Sequence, residues 1–297
     1  MKDQQFTICF QAKKEQLLRE AISEFGISKR ALTAIKFEGG EITVNALEQN
    51  VRYKLKIGDE VQIKFPVEQS SDGLIAEEGP LSIVYEDQYI LVVNKPPGMS
   101  SIPSREHPTG SLANYVLGHF QQQLLQSTIH IVTRLDRDTS GLMCIAKHRH
   151  IHHLMGEMQK AKAIHREYEA IAHGTVKTQS IILPIGRKDN SIIEREVRDD
   201  GQFAHTDVQL IKTFENNGDV FSHVRLKLHT GRTHQIRVHL AHLGHPLVGD
   251  ELYGGKRALM NRQALHCVSL RFIHPITKEQ LHFKSELPKD MENISRN

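Results

Sequence analysis

The sequence predicts two units of mixed α and β structure, a small basic one followed by a larger, mainly β one. Three observations carry that prediction. The chain has 297 residues, more than one ordinary core and fewer than three. No Lys or Arg occurs from Phe65 to Asn94, and the first half of that gap holds Ser70, Ser71, Asp72, Gly73 and Gly79. Such a polar, turn-rich stretch reads as a linker over residues 67–79, joining a unit at 1–66 to one at 80–297. Beyond it, strand-like runs outnumber helical patterns, and no fixed internal period marks a solenoid or propeller.

In the small unit, Leu17, Leu18, Ile22 and Phe25 recur at helical spacing and Gly26 stops the helix. Ser28 caps a second helix carrying Ala31, Leu32 and Ile35, with Lys29, Arg30 and Lys36 beside them. A Gly39-Gly40 turn leads to a strand through Ile42 and Val44, and another strand, Glu60 to Phe65, follows the turn Ile57-Gly58-Asp59. Two short helices with a basic edge on a small sheet would suit an RNA backbone. The same charges would equally suit a solvated face.

In the larger unit, strands are expected at Ser82–Tyr85, Tyr89–Val93, Leu142–Ala146, Tyr168–Ala172, Thr206–Ile211 and His223–Leu228. Helices are expected at Ser111–Leu125, His150–Ala161 and Thr233–Leu243. Ile151, Leu154, Met155 and Met158 form one apolar stripe, so the methionines there belong to the core. Thr233 is placed to cap the third helix, and Gly244 with Pro246 to end it.

Composition removes several classes. Apolar residues at 39% and charged residues at 25% describe a globular chain, not a disordered or fibrous one. The longest apolar runs, such as Tyr89–Val93, fall far short of the roughly 20 residues that span a bilayer. The first residues lack the apolar stretch and cleavage site of a secretory signal. Cys9, Cys144 and Cys267 are odd in number and widely spaced, which argues against a disulfide framework and for a reducing cytoplasm. A net charge of +3 permits nucleic acid as a partner without demanding it.

Two segments could carry chemistry. Thr133 to Leu142 packs Arg134, Asp136, Arg137 and Asp138 just before a buried strand. A carboxylate there, with arginines on both sides, can stay ionised in a dry pocket, as a nucleophile or general base requires. A surface turn with two weak salt bridges has the same sequence. Leu228 to Pro246 sets Arg232, His234 and Arg237 around the first turn and a half of a helix, where a phosphate or carboxylate would be well met.

The histidines raise a metal hypothesis, through His234, His239, His242 and His245 or through His148, His150, His152 and His153. His-Glu-x-x-His is absent and no two cysteines share ligand spacing, so no metal site is expected and these side chains are read as packing, capping or hydrogen-bonding. GxxxxGK[ST], GxGxxG and GxSxG are absent as well, against ATP, NAD or a serine elbow. Thr139, Ser140 and Gly141 read as turn and strand-entry residues.

Five segments together resemble the RluA-type pseudouridine synthases. They are Tyr85 to Met99 with its Asn-Lys-Pro-Pro-Gly, Arg134 to Leu142, Arg166 to Gly174, Gly231 to Gly254, and Leu265 to Pro275. The order and spacing of all five carry the resemblance, from about Leu81 to Phe283. Ahead of them, Ser28 to Ala46 and Tyr53 to Ile63 resemble the alpha-L type RNA-binding module of a small-subunit ribosomal protein, through Lys29-Arg30, Gly39-Gly40, Val44-Asn45 and Gly58-Asp59. Residues around Gln16-Leu17-Leu18 replace the usual opening Leu-Asp-Lys. Two further positions depart: Thr133 stands where the family commonly has His, and Arg166 where it commonly has Lys.

The resemblance implies an α+β fold, a mixed and mainly antiparallel sheet with a central cleft, with the small module appended flexibly. It implies isomerisation of uridine to pseudouridine: the N1–C1′ bond breaks, the uracil turns, and C5 bonds to C1′. No cofactor or metal is needed. By carry-over Asp136 is the essential carboxylate, Arg237 its partner, and Tyr168 the tyrosine that stacks on uracil and helps remove the C5 proton. Arg134 would fill the gap left by a flipped nucleotide. Thr139, Arg166, Arg232, His234 and Gln235 would bind substrate, and Lys29, Arg30 and Lys36 would serve the RNA-binding module. Plainer roles exist for the leading residues: Tyr168 in a core strand, Arg237 paired with Asp250, Arg134 with Asp138. The implied partner is RNA, ribosomal large-subunit RNA first and tRNA second, acted on by a cytoplasmic monomer. Two rivals remain: an inactive RNA-binding or ribosome-assembly protein of the same fold, and a metal-dependent hydrolase using the histidines.

Overall fold

Alternation of apolar and polar residues near the N-terminus builds a four-stranded antiparallel sheet, in the computed structural model that describes residues 5–68, 73–104 and 108–295. Thr7–Gln11 pairs with Glu60–Lys64, then come Glu41–Val44 and Leu47–Glu48. Ile8, Ile42, Val44, Val61 and Ile63 are buried with Leu18, Ile22 and Ile35 from the helices Leu18–Glu24 and Lys29–Phe37. Ser28 Oγ accepts the Ala31 amide at 3.2 Å, as its capping position predicts. Asn45 Nδ2 donates to Asp59 Oδ1 and the Glu60 amide donates to Asn45 Oδ1, both at 2.9 Å. The Val44-Asn45 and Gly58-Asp59 pairs are therefore two halves of one joint.

The rest of the chain forms a ten-stranded sheet. Its path runs Gln179–Ile182, His205–Asn216, Asp219–Leu228, His165–His173, Leu265–Ile273, Ser140–Ala146, Ile90–Lys95 and Ile83–Glu86. Gln280–Lys284 and His130–Ile131 join it off that path. One pair among the described residues is parallel, Ser140–Ala146 beside Leu265–Ile273, and the others are antiparallel. The expected mixed, mainly antiparallel sheet is what forms. Every residue of Ser140–Ala146 is buried, which explains its unbroken apolar run. Gly141 makes the parallel pairing possible: at φ 117° its α-carbon passes so close to Cys267 that a Cβ would sit 2.5 Å from its backbone.

Helices Leu112–Gln122 and Arg149–Lys160 pack with this sheet through Leu112, Val116, Phe120, Ile151 and Met155. The third helix is shorter than expected, Gln235–His242, and Thr233 does not cap it. His234 takes the cap position in the left-handed conformation, φ 56°, because the preceding turn folds back onto the Gln235 side chain. Strands Gln179–Ile182, Ile185–Arg187, Arg195–Val197 and Gln280–Lys284 were not anticipated; being short or half-exposed, they lack a clear period.

The expected tether is docked at both ends rather than free, although residues 69–72 lie outside the described ones. Phe6 stacks on His148 at 4.2 Å and Phe65 on His150 at 5.2 Å. Glu68 is buried: it accepts bonds from Ser127 Oγ at 3.1 Å and from the Arg149 amide and Nε at 3.0 and 2.6 Å, with His130 Nε2 at 2.8 Å. Burial by itself would raise its pKa, but the bond from His130, the charge of His148 and the Arg149 contact outweigh it and hold Glu68 far below the usual carboxylate range.

Two consequences follow for stability. Glu68→Gln should destabilise the chain by roughly 1–3 kcal/mol, since the amide turns a donor toward buried donors. Acid should act at the same joint. Burial lowers His148 to about 3 and His150 to about 4 from an ordinary 6.5, so below pH 6.5 the unfolded chain holds protons that the folded one refuses. Their contribution is complete above pH 6.5 and declines as pH falls toward about 4 for His150 and about 3 for His148; that of Glu68 is complete above 4.5 and declines progressively below it. Thermal unfolding at pH 7.5 and 5.5 checks this, and equal midpoints would count against it.

Candidate active site

The sheet places a cleft of about 890 Å³ where the Asp136 segment meets the Leu228–His234 turn. Arg134, Arg137, Lys162, Arg166, Lys227 and Arg232 line it with His165, His229 and His234, and among the described residues Asp136 is its one carboxylate. A smaller inner recess continues past Asp136 to Tyr168, Thr139, Gln235 and Arg237.

The loop carrying Asp136 is pinned on either side. Ser101 Oγ donates to the Leu135 carbonyl at 2.6 Å, and Arg137 Nε to the Gly98 carbonyl at 3.3 Å. Lys95, fully buried, donates to the carbonyls of Pro96, Met99 and Arg137 at 2.8, 2.8 and 2.9 Å, one for each N–H of its ammonium. Burial pushes Lys95 down to about 7, while Asp138 and Asp136 nearby favour its charge. Thr133, at the departure from the family pattern, is buried and its hydroxyl accepts the Cys144 amide at 3.1 Å. It ties the loop to the central strand.

Arg237 settles the choice between its two readings by adopting both. Its Nε and Nη2 donate to Asp250 at 2.7 and 2.8 Å, and its Nη1 donates to Asp136 Oδ2 at 3.1 Å. The guanidinium also lies 4.9 Å from the centre of the Tyr253 ring. Asp250 is 1% exposed and Asp136 is 30% exposed, so one carboxylate anchors the arginine while the other faces the cleft. Burial would lower the Arg237 pKa, but Asp250 and then Asp136 raise it. It is a fixed charge.

His234 Nε2 lies 3.7 Å from Asp136 Oδ2, and its Nδ1 lies 2.8 Å from the Tyr253 hydroxyl. Burial lowers its pKa against the pull of Asp136, which favours a neutral ring. The left-handed backbone at His234 costs roughly 1–3 kcal/mol, held in place by that hydroxyl and by the Gln235 bonds.

Tyr168 is buried, with Arg166 Nη1 donating to its hydroxyl at 3.4 Å. Burial raises its pKa, with Arg166 opposing, so the resting phenol keeps its proton. Gly231 leaves room for that arginine, since a Cβ there would lie 2.8 Å from Arg166 Nη2. Arg134 and Arg232 are exposed at the cleft, Arg232 with its Nε held by the Phe203 carbonyl at 2.9 Å.

Two expected substrate contacts lie at the inner recess but are almost wholly buried. Thr139 is 2% exposed and its hydroxyl accepts from Gln263. Gln235 is 3% exposed and spends its amide on Thr230, Arg232, His205 and Thr206. Both shape the turns, and Gln235 has no polar atom left for a ligand. Lys29, Arg30 and Lys36 are exposed on the second helix, Lys29–Phe37, outside the cleft. Asp250, Tyr253 and Lys95 are the supporting groups to which sequence reasoning gave no place in the site. Each lies inside a segment already singled out, and the signal was available: a buried arginine needs a buried carboxylate.

The RNA pseudouridylate synthase profile matches residues 89–242, more than half of the chain. The chain belongs to the RNA pseudouridylate synthase family. The uncharacterized RNA pseudouridine synthase YjbO of Bacillus subtilis is 50% identical, over 93% of this chain and 97% of that protein. Ribosomal large subunit pseudouridine synthase D of Haemophilus influenzae is 37% identical, over 94% and 89%. Among solved structures, human RNA pseudouridylate synthase domain containing 1 superposes with a TM-score of 0.59 at 28% identity, covering 71% of this chain and 86% of that one. As a member of this synthase family the chain is an isomerase, and the resemblance carried by the five segments holds.

Proposed function

We propose that this synthase isomerises uridines in large-subunit ribosomal RNA, with Asp136 as the essential carboxylate. One observation carries the site: a cleft with six Lys or Arg side chains surrounds a single described carboxylate, to which an anchored arginine donates a hydrogen bond. The basic lining suits a polyanion, and the relatives named as large-subunit synthases favour ribosomal RNA over tRNA. Asp136 attacks the ribose C1′ or assists glycosidic cleavage by another route. Arg134 enters the space of the flipped nucleotide. Tyr168 offers a stacking surface to uracil and assists loss of the C5 proton, with its own phenol kept protonated by burial in the resting site.

Residues 1–66 form the RNA-binding module, presenting Lys29, Arg30 and Lys36 to the backbone, and residues 80–297 the catalytic domain. The synthase acts as a monomer in the cytoplasm, a reducing compartment that suits the free thiols Cys9, Cys144 and Cys267. No described helix is long and apolar enough to cross a membrane.

Tritium release from C5-labelled RNA tests the substrate. Large-subunit ribosomal RNA from cells lacking the gene should release tritium, and tRNA from the same cells should release little. Release from tRNA alone would overturn the choice of substrate, and release from neither would revive the inactive RNA-binding protein.

A further inference from the structure

Three of the histidines whose spacing suggested a metal are committed elsewhere. His239 spans Thr206 and the Leu183 carbonyl, His245 meets the His173 carbonyl, and His148 caps a helix. Three other residues do converge. His205 and Asp207 share one face of the strand His205–Asn216, and His229 follows the end of the neighbouring strand, 22 residues beyond Asp207. His205 Nε2 lies 3.1 Å from Asp207 Oδ1, and His229 Nε2 lies 2.6 Å from Asp207 Oδ2. One ligand atom from each of the three lies within 4.8 Å of the others.

We propose that His205, Asp207 and His229 bind a divalent transition-metal cation of the zinc class at the rim of the cleft. Two imidazoles and one carboxylate form a donor set that suits zinc and its neighbours better than magnesium or calcium, which favour oxygen. Metal–ligand bonds of about 2.1 Å at tetrahedral angles hold ligand atoms about 3.4 Å apart, so the two His–Asp contacts, 3.1 and 2.6 Å, need widen only by about 1 Å or less to admit the ion. The backbone is already set for this. The His229 amide donates to the His205 carbonyl at 3.1 Å, and Asp207 is in register with Lys227. Ser180 Oγ donates to Asp207 Oδ1 and orients the carboxylate from behind.

The two rings lie 4.1 Å apart at 16°, side by side, with Nε2 of each against the same carboxylate. The three side chains are 23–39% exposed, so an ion can enter and a water or a phosphate oxygen can complete its shell. His229 lines the cleft and is followed by the turn that supplies Arg232 and His234. The His205 amide donates to Thr230 Oγ1 at 2.9 Å, so a bound ion would stiffen that turn. Its place is structural, at the cleft mouth and apart from Asp136.

Metal-free full-length protein titrated with Zn²⁺ by calorimetry, and with Co²⁺ by visible spectroscopy, tests the site. One equivalent should bind, Co²⁺ should show tetrahedral ligand-field bands, and Zn²⁺ should raise the unfolding temperature. His205→Ala and His229→Ala should each weaken binding by about tenfold or more, whereas His153→Ala should leave it unchanged. The variants His205→Gln and His229→Gln, checked for native circular dichroism without metal, separate lost ligands from lost folding. Less than one equivalent at saturating zinc overturns the site. So does full binding by the double His205/His229 variant, or competition by Mg²⁺ as effective as that by Zn²⁺.

Discussion

Asp136→Ala should lower turnover by on the order of 10⁴-fold or more while leaving RNA affinity nearly unchanged. The expectation rests on how differently the two properties are built. On the proposed mechanism, turnover depends on one carboxylate held at 3.1 Å from Arg237 Nη1, on a loop whose neighbours on both sides are hydrogen-bonded in place. Affinity depends on the six Lys or Arg side chains around the cleft, none of which the substitution removes. Asp136→Asn, equal in size and unable to carry the charge, should be just as inactive. Single-turnover tritium release and filter binding on the same RNA separate the two. If affinity falls in step with turnover, Asp136 belongs to the architecture of the cleft and not to its chemistry.

Asp250→Ala should cost about 3–5 kcal/mol of stability and, in the protein that still folds, about 10²-fold in turnover. Asp250 never reaches the cleft. It holds Arg237 by two bonds in a site where the arginine is 8% exposed, so its loss leaves a buried charge with a single partner. The freed guanidinium would then turn toward Asp136 and away from the Tyr253 ring, displacing the carboxylate by a fraction of an ångström. Asp250→Asn keeps the shape and discards the charge, and should fall between alanine and wild type in both measurements. Urea unfolding gives the stability and tritium release well below the melting temperature gives the rate. Wild-type values for both would show that Asp136 alone suffices to hold Arg237.

Much of this was legible because it is local. The Ser28 cap, the Ile57-Gly58-Asp59 turn and the strand expected at Leu142–Ala146, which begins two residues earlier at Ser140, are set by residues close together in sequence, and these appear where the local pattern put them. Helix and strand ends were less legible, since tertiary bonds compete for them. Thr233 lost its capping role because the Gln235 side chain claims the turn first. Thr139 and Gln235 sit in motifs with the right chemistry, yet their polar atoms face protein partners that sequence spacing does not reveal.

What the sequence determined by itself is the reaction class: five ordered segments, with Asp136, Tyr168 and Arg237 among them, and a mainly β chain to carry them. Only the tertiary structure decided how a chain of net charge +3 gathers six Lys or Arg side chains around one carboxylate. It also decided that Arg237 serves Asp136 and Asp250 together, and that Glu68 docks a stretch that reads as a free tether. The physical reason is one of range. Periodicity and turn chemistry act over a few residues, whereas each of these outcomes depends on charges brought together from distant parts of the chain and removed from water, where a buried ion must find its partner.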